Sequence, residues 1–187
     1  MQLVDYEDLT PDQRQQLVDI EVTSAQRDFS GDIVSALYTL VGQPRDAVRG
    51  FALVEDQRPL AFLLVKRGRC LAHWADPDAA TLNALQVDHR HQGRGLGRAC
   101  LQALPHAVAA IWPQVTRLEL SVDAQNGSAL ALYARMGWID VGEAYPGRIG
   151  YERRMTYTLP ARPPASSQGA DVGLGEPQSD VRLHRSH

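Results

Sequence analysis

The chain has 187 residues, 44% hydrophobic and 22% charged, which suits one domain with a substantial core and falls short of two ordinary ones. Its 19 basic and 22 acidic residues leave a net charge of −3, so no electrostatic footprint for nucleic acid or an anionic membrane is expected. Cys70 and Cys100 are the only cysteines, with no CxxC and no Cys/His cluster at metal spacing, so neither a disulfide scaffold nor a metal is expected.

The first residues, Met1 to Tyr6, lack the basic and apolar segments of a signal peptide, and no stretch is apolar for long enough to span a bilayer. A cytoplasmic protein is the expectation. Residues 2–6 read as a short strand. Thr10-Pro11-Asp12 reads as a helix start, with threonine as N-cap and proline at the first helical position. Leu17, Ile20, Val22 and Ala25 carry that helical pattern on toward Phe29. A second helix is predicted over 32–41, stopped by Gly42 and Pro44. Strands follow at 48–55 and 59–66, joined by the turn-like Asp56-Gln57-Arg58. Residues 71–74 extend or follow the second of these, Asp76-Pro77-Asp78 is a turn, and 82–87 is a further strand.

A helix over 95–111 carries Leu96, Ala99, Cys100, Ala103, Leu104 and Ala107 inward, and Pro105 inside it predicts a kink or a break into two pieces. Residues 117–122 alternate as a strand should. Asn126 opens a helix bearing Ala129, Leu130, Leu132, Tyr133 and Met136, closed by Gly137. Two last strands, at 138–144 and 151–159, complete a mixed α/β domain with one central sheet over residues 1–159. Residues 160–187 hold four prolines, several Gly and Ser and scattered charge, with no aromatic residue. Such a segment buries too little apolar surface to offset its ordering entropy, so a disordered tail is predicted. Its Arg182, His184 and Arg185 make a small binding cluster the alternative.

The segment Gln92-Gly93-Arg94-Gly95-Leu96-Gly97 lies between a strand and a helix. The first turn of a helix leaves backbone N–H groups unpaired, its dipole favours negative charge there, and glycine lets the backbone approach phosphate oxygens. Arg94 and Arg98 add positive charge at the same point. The spacing decides between phosphate ligands. A dinucleotide-type G-x-G-x-x-G meets Arg98 or Cys100 where glycine is needed, and a P-loop needs a lysine where Lys66 is the only one in the chain.

Gln92-x-x-Gly95-x-Gly97 instead resembles the acetyl-CoA loop of the GNAT (general N-acetyltransferase) superfamily, written as Gln or Arg, two residues, Gly, one residue, Gly or Ala. Its surroundings agree with that. Leu85-Gln86-Val87-Asp88 looks like the family's fourth strand. Leu118 to Val122, then Asn126, Leu132-Tyr133 and Gly137-Trp138, look like its second signature. The resemblance covers residues 82–142 closely. It implies a GNAT fold: a mixed, mostly antiparallel sheet of about seven strands, splayed between the fourth and fifth, flanked by about four helices.

By the same resemblance, the backbone amides of Gln92, Gly93, Arg94, Gly95, Leu96 and Gly97 bind a pyrophosphate, with Arg98 beside them. Leu85 and Val87 offer backbone groups to the pantetheine arm. Asn126 contacts the cofactor, a role compatible with its suitability as a helix N-cap. Tyr133 is the residue beside the cofactor sulfur, where a phenol can protonate the departing thiolate; otherwise it is a core aromatic. An acceptor ammonium must also lose a proton before it attacks. The predicted fourth strand carries no carboxylate, and Glu21, Asp76, Asp78, Glu143 or a water-relayed base stand as alternatives.

The implied activity is direct transfer of an acetyl group from acetyl-CoA to a primary amine of a small molecule, by a monomer or homodimer, in a ternary complex. Residues 20–29 and the closing Gly142-Glu143 and Gly150-Tyr151-Glu152-Arg153-Arg154-Met155 resemble bacterial spermine/spermidine acetyltransferases. Acidic Glu21, Asp28, Asp32, Glu143 and Glu152 would suit a polycationic acceptor. Acetylation of a protein or peptide amine, and a non-catalytic CoA-binding regulatory domain, are the alternatives.

Overall fold

A computed structural model describes residues 1–147 and 150–160. From residue 161 on, the predicted tail lies outside the described residues. The element order is β1 (Gln2–Asp5), α1 (Pro11–Gln16), α2 (Ser24–Ser30), α3 (Ile33–Val41), β2 (Val48–Glu55), β3 (Arg58–Arg67), β4 (Ala79–Val87), α4 (Leu96–Ile111), β5 (Arg117–Asp123), α5 (Gly127–Arg135), β6 (Ile139–Pro146) and β7 (Tyr151–Thr158). The seven strands form one sheet in the order β1-β2-β3-β4-β5-β7-β6, antiparallel throughout except for the parallel pair β4–β5.

Alternation along the central strands loads both faces of the sheet. Phe51, Leu53, Leu63 and Val65 point to the side covered by α4, whose Leu96, Cys100, Leu104 and Val108 are buried there. Ala52, Phe62 and Leu64 point to the other side, against Leu17, Ile33 and Leu40. Burial on two faces is why residues 59–66 read as a continuous apolar run. Among the described residues no helix is long and apolar enough to cross a membrane.

Three elements differ from the sequence reading. The helix expected to run from Thr10 toward Phe29 is broken into α1 and α2, with a 3-10 turn and an extended link between them. Thr23 starts a second helix through a capping box: its hydroxyl accepts from Gln26 N, and the Gln26 side chain accepts from Thr23 N. Residues 71–74 form no strand; β3 ends in a 3-10 turn at Gly68–Cys70. Helix α4 runs through Pro105 as one element. Five side chains anchored in the core on either side of the proline outweigh the one hydrogen bond it removes.

The pairing of β4 and β5 positions the site. It lasts only three residue pairs, Ala79↔Arg117 to Thr81↔Glu119, after which the strands diverge. On its other edge β4 carries a bulge: Phe62 faces Gln86 and Leu64 faces Asn83, so Ala84 and Leu85 together oppose Leu63. Ala84 accommodates it at φ +50°, in the left-handed region.

Candidate active site

Beyond β4, the chain turns into α4 through a braced loop. Asp88, 2% exposed, accepts from Arg90 N at 3.0 Å and pairs with the Arg90 guanidinium at 2.6 Å. Burial raises the Asp88 carboxyl, but the Arg90 hydrogen bonds and charge outweigh it and hold the group below the usual aspartate range. Gly93 and Gly95 follow at φ +77° and +79°. A Cβ added at either would meet nothing within 4 Å, so these glycines serve the backbone conformation. Gly97 serves packing instead, since a Cβ there would sit 3.3 Å from Leu132 Cδ2. The first bond of α4 is Ala99 N to Gly95 O at 2.9 Å, and no side chain caps the helix. The N–H groups of Leu96, Gly97 and Arg98 are therefore available to an anion.

This loop opens into a cleft of about 1280 Å³ that fills the gap between β4 and β5. Of the residues predicted from the sequence, Gln92, Gly93, Gly95, Leu96, Gly97 and Arg98 line its loop end. Leu85 and Val87 line its β4 wall, and Asn126 and Tyr133 its α5 wall. The Arg94 side chain turns away, to Glu55 at 2.6 Å. The Gln92 side chain works on the protein itself: its Nε2 donates to Val87 O at 3.0 Å and to Gln26 Oε1 at 2.9 Å, and Gln26 donates back at 3.2 Å. That pair ties α2, whose Ala25, Gln26, Asp28 and Phe29 form the far wall of the cleft, to the glycine loop.

Asn126 caps α5, its Oδ1 accepting from Ala129 N at 3.2 Å. Two turns later Tyr133 packs its ring 5.7 Å from that of Trp138, and burial pushes its phenol up to about 12. Cys100, buried under α4, is also pushed up to about 12 by burial and lies in the core rather than the cleft.

The four carboxylates named from the sequence as bases stand outside the cleft lining. Glu21 faces His89 at 3.5 Å, Asp76 pairs with Arg117 at 2.6 Å, and Asp78 and Glu143 are exposed. The lining carries Asp28, Asp123 and Glu152 instead. Asp123 was missed because it closes an apolar strand and reads as the start of a turn, and it does accept from Gln125 N at 2.7 Å. In the sheet Asp123 pairs with Glu152 and Glu152 with Tyr145, which puts all three on one face. Burial raises the Tyr145 phenol, and the Glu152 carboxylate beside it pushes the same way. Among the described residues no group of His, Cys, Asp and Glu is arranged to hold a metal ion.

The family model described as "Acetyltransferase (GNAT) family" matches residues 12–138. The ribosomal protein bS18-alanine N-acetyltransferase of Escherichia coli is 33% identical over 121 residues, 59% of this chain and 77% of that protein. The crystal structure of an acetyltransferase from Thermus thermophilus is 30% identical, with a TM-score of 0.52, and the match covers 81% of this chain and 84% of that one. At 14% identity an aminoglycoside 6'-N-acetyltransferase complexed with coenzyme A shares the fold, with a TM-score of 0.61 over 87% of this chain and 99% of the other.

Proposed function

The chain belongs to the acetyltransferase (GNAT) family, an N-acetyltransferase with acetyl-CoA as its acyl donor, and on that footing we propose that it acetylates a primary amine of a small molecule by direct transfer in a ternary complex. One observation carries the reading: the uncapped N-terminus of α4, Tyr133 and the carboxylates of Asp28, Asp123 and Glu152 all line a single cleft.

In this reading the backbone amides of residues 92–97 receive the pyrophosphate, and Arg98 adds charge beside them. Gln92 shapes the loop from its far side, and Arg94 contributes its backbone alone. The pantetheine arm lies between β4 and β5, beside Leu85, Val87 and Asn126. The neutral amine nitrogen attacks the thioester carbonyl, the C–S bond breaks, Tyr133 gives its hydroxyl proton to the departing sulfur, and the proton the nitrogen sheds on becoming an amide returns through water to the phenolate. A phenol near 12 is a weak acid toward a thiol in water, but the burial that raises the phenol also raises the basicity of a thiolate formed beside it. Asp28, Asp123 and Glu152 favour an acceptor that arrives as a cation.

A panel of primary amines incubated with acetyl-CoA, with thiol release followed, tests the reading. Turnover of one or more small amines is the expected result. A second reading, transfer to the α-amine of a polypeptide, is favoured by the 33% identity to an enzyme that acts on a ribosomal protein's alanine. A peptide with N-terminal alanine therefore belongs in the panel, and turnover of that peptide alone would replace the small-molecule reading.

A further inference from the structure

Helix α2 forms the far wall of the cleft, yet little in its own make-up holds it there. It has seven residues, none of them buried. An isolated helix needs about 12–15 residues to be even marginally stable in water. The capping box at Thr23 is local and fixes only its start. Phe29, its one large apolar side chain, is 43% exposed and lines the cleft instead of joining a core. The position of this wall therefore depends on polar ties to the rest of the fold.

Two glutamines supply such ties. Gln92 holds Gln26 in the first turn, and Gln86 holds the last, its Nε2 donating to Ser30 O at 3.1 Å. The β4 bulge brings Gln86 to that side of the sheet. Leu82 packs in the core beneath α4, and strict alternation would send residues 84 and 86 the same way. The extra residue reverses the pattern: Ala84 packs on the opposite side, Leu85 and Val87 beneath α4, and Gln86 stands opposite Phe62 on the side of α2. Gln86 is not part of the cleft lining, but Ser30 is.

The other half of the Gln86 amide is left unserved. The residue is 1% exposed, and its Oε1 is buried with no hydrogen-bond partner among the described residues. An orphaned buried acceptor destabilises a fold, and an apolar side chain of the same shape would remove the penalty. Stability therefore gives no reason for a glutamine here, whereas its bond to Ser30 does. We propose that Gln86 is a positioning residue for the acceptor: through Ser30 it fixes the end of α2, and with it the gap between that wall and β4 into which the amine fits. The inference rests on the reading that the acceptor enters this cleft.

The test is Gln86→Met, which keeps the volume and removes both the donor and the orphan. Amide exchange in residues 24–30, followed by mass spectrometry, should quicken by about two- to ten-fold, the worth of one hydrogen bond, while α1 and α3 keep their rates. The urea midpoint should stay the same or rise. The acceptor is the panel amine of highest kcat/KM, or the alanine peptide if that alone is turned over. Its KM should rise by about two- to ten-fold, and the KM for acetyl-CoA should not move. Gln86→Asn, one methylene short of Ser30, should repeat the kinetic effect and serves if the methionine variant does not fold. Unchanged exchange in 24–30 or an unchanged acceptor KM overturns the proposal. So does a lower midpoint with faster exchange in all three helices, which would mark Gln86 as a core residue only. A wild type that turns over none of the acceptors removes the reading of the cleft and the proposal with it, and that outcome is distinct because it needs no variant.

Discussion

With its phenol near 12, Tyr133 keeps its proton across the range in which an amine acceptor titrates. Tyr133→Phe should lower kcat by roughly 10²–10⁴-fold, the usual worth of a placed general acid, and leave the fold intact because the ring keeps its packing against Trp138. The wild-type rate should rise with pH as the amine loses its proton, with no alkaline fall until the pH nears about 12. An unchanged kcat in Tyr133→Phe would remove Tyr133 from the chemistry. Asp88 makes a separate prediction about stability. Its folded-state carboxyl lies below the ordinary value of 3.8, so the stability it contributes is present above that value and is lost as the pH falls through the lower one. Asp88→Asn should cost about 1.5–3 kcal/mol in urea unfolding at neutral pH, the range for hydrogen bonds to a charged group, and should flatten the acid limb of the stability profile. The place of Tyr133 on the cleft was legible because it follows a leucine at a fixed distance from Asn126. The acidic wall was not, because Asp123 and Glu152 lie 29 residues apart in the chain (152 − 123) and only the β5–β7 register puts them side by side.

At the scale of elements, the glycine loop and α4 were readable because everything that shapes them is local: positive φ at two glycines and a helix start with no cap. The gap between α1 and α2 was readable too, in Thr23 and Gln26, but the apolar periodicity on either side masked that capping box. The β4 bulge was not, since nothing marks an alanine for φ +50°; its place is set by the register of β3. The amide pair Gln26–Gln92 makes the break in the helix matter for function, because only a separate α2 brings Gln26 to the loop. Gln26→Ala should weaken acetyl-CoA binding by about two- to ten-fold, as expected for one or two exposed hydrogen bonds, although residue 26 lies outside the glycine motif. Calorimetry with acetyl-CoA on wild type and variant measures this, and an unchanged affinity would show that the loop holds its shape without α2.

For the whole molecule, the order of elements and the single sheet followed from alternation and helical period, while the depth of the split between β4 and β5 belongs to tertiary packing. A donor that fills the split binds only the folded chain, so acetyl-CoA at 100 times its Kd should stabilise by about 2.7 kcal/mol. For a chain of this size that is a rise in Tm of roughly 5–10 °C, readable in a thermal-shift assay, with NAD and ATP giving none. The split has another consequence. From Leu82 to Val87, β4 shows β5 a row of peptide groups that no neighbouring strand pairs, which amounts to a sheet edge hidden inside the molecule. Edges of this kind invite another chain to join them. Here the edge is walled in by α2 and α5, whose residues line the same cleft, so a slender chain with its own amide bonds can complete the sheet where a folded protein's strand cannot. Those amides of 82–87 that face β5 should accordingly exchange fast in the free protein and slowly once such a chain is seated.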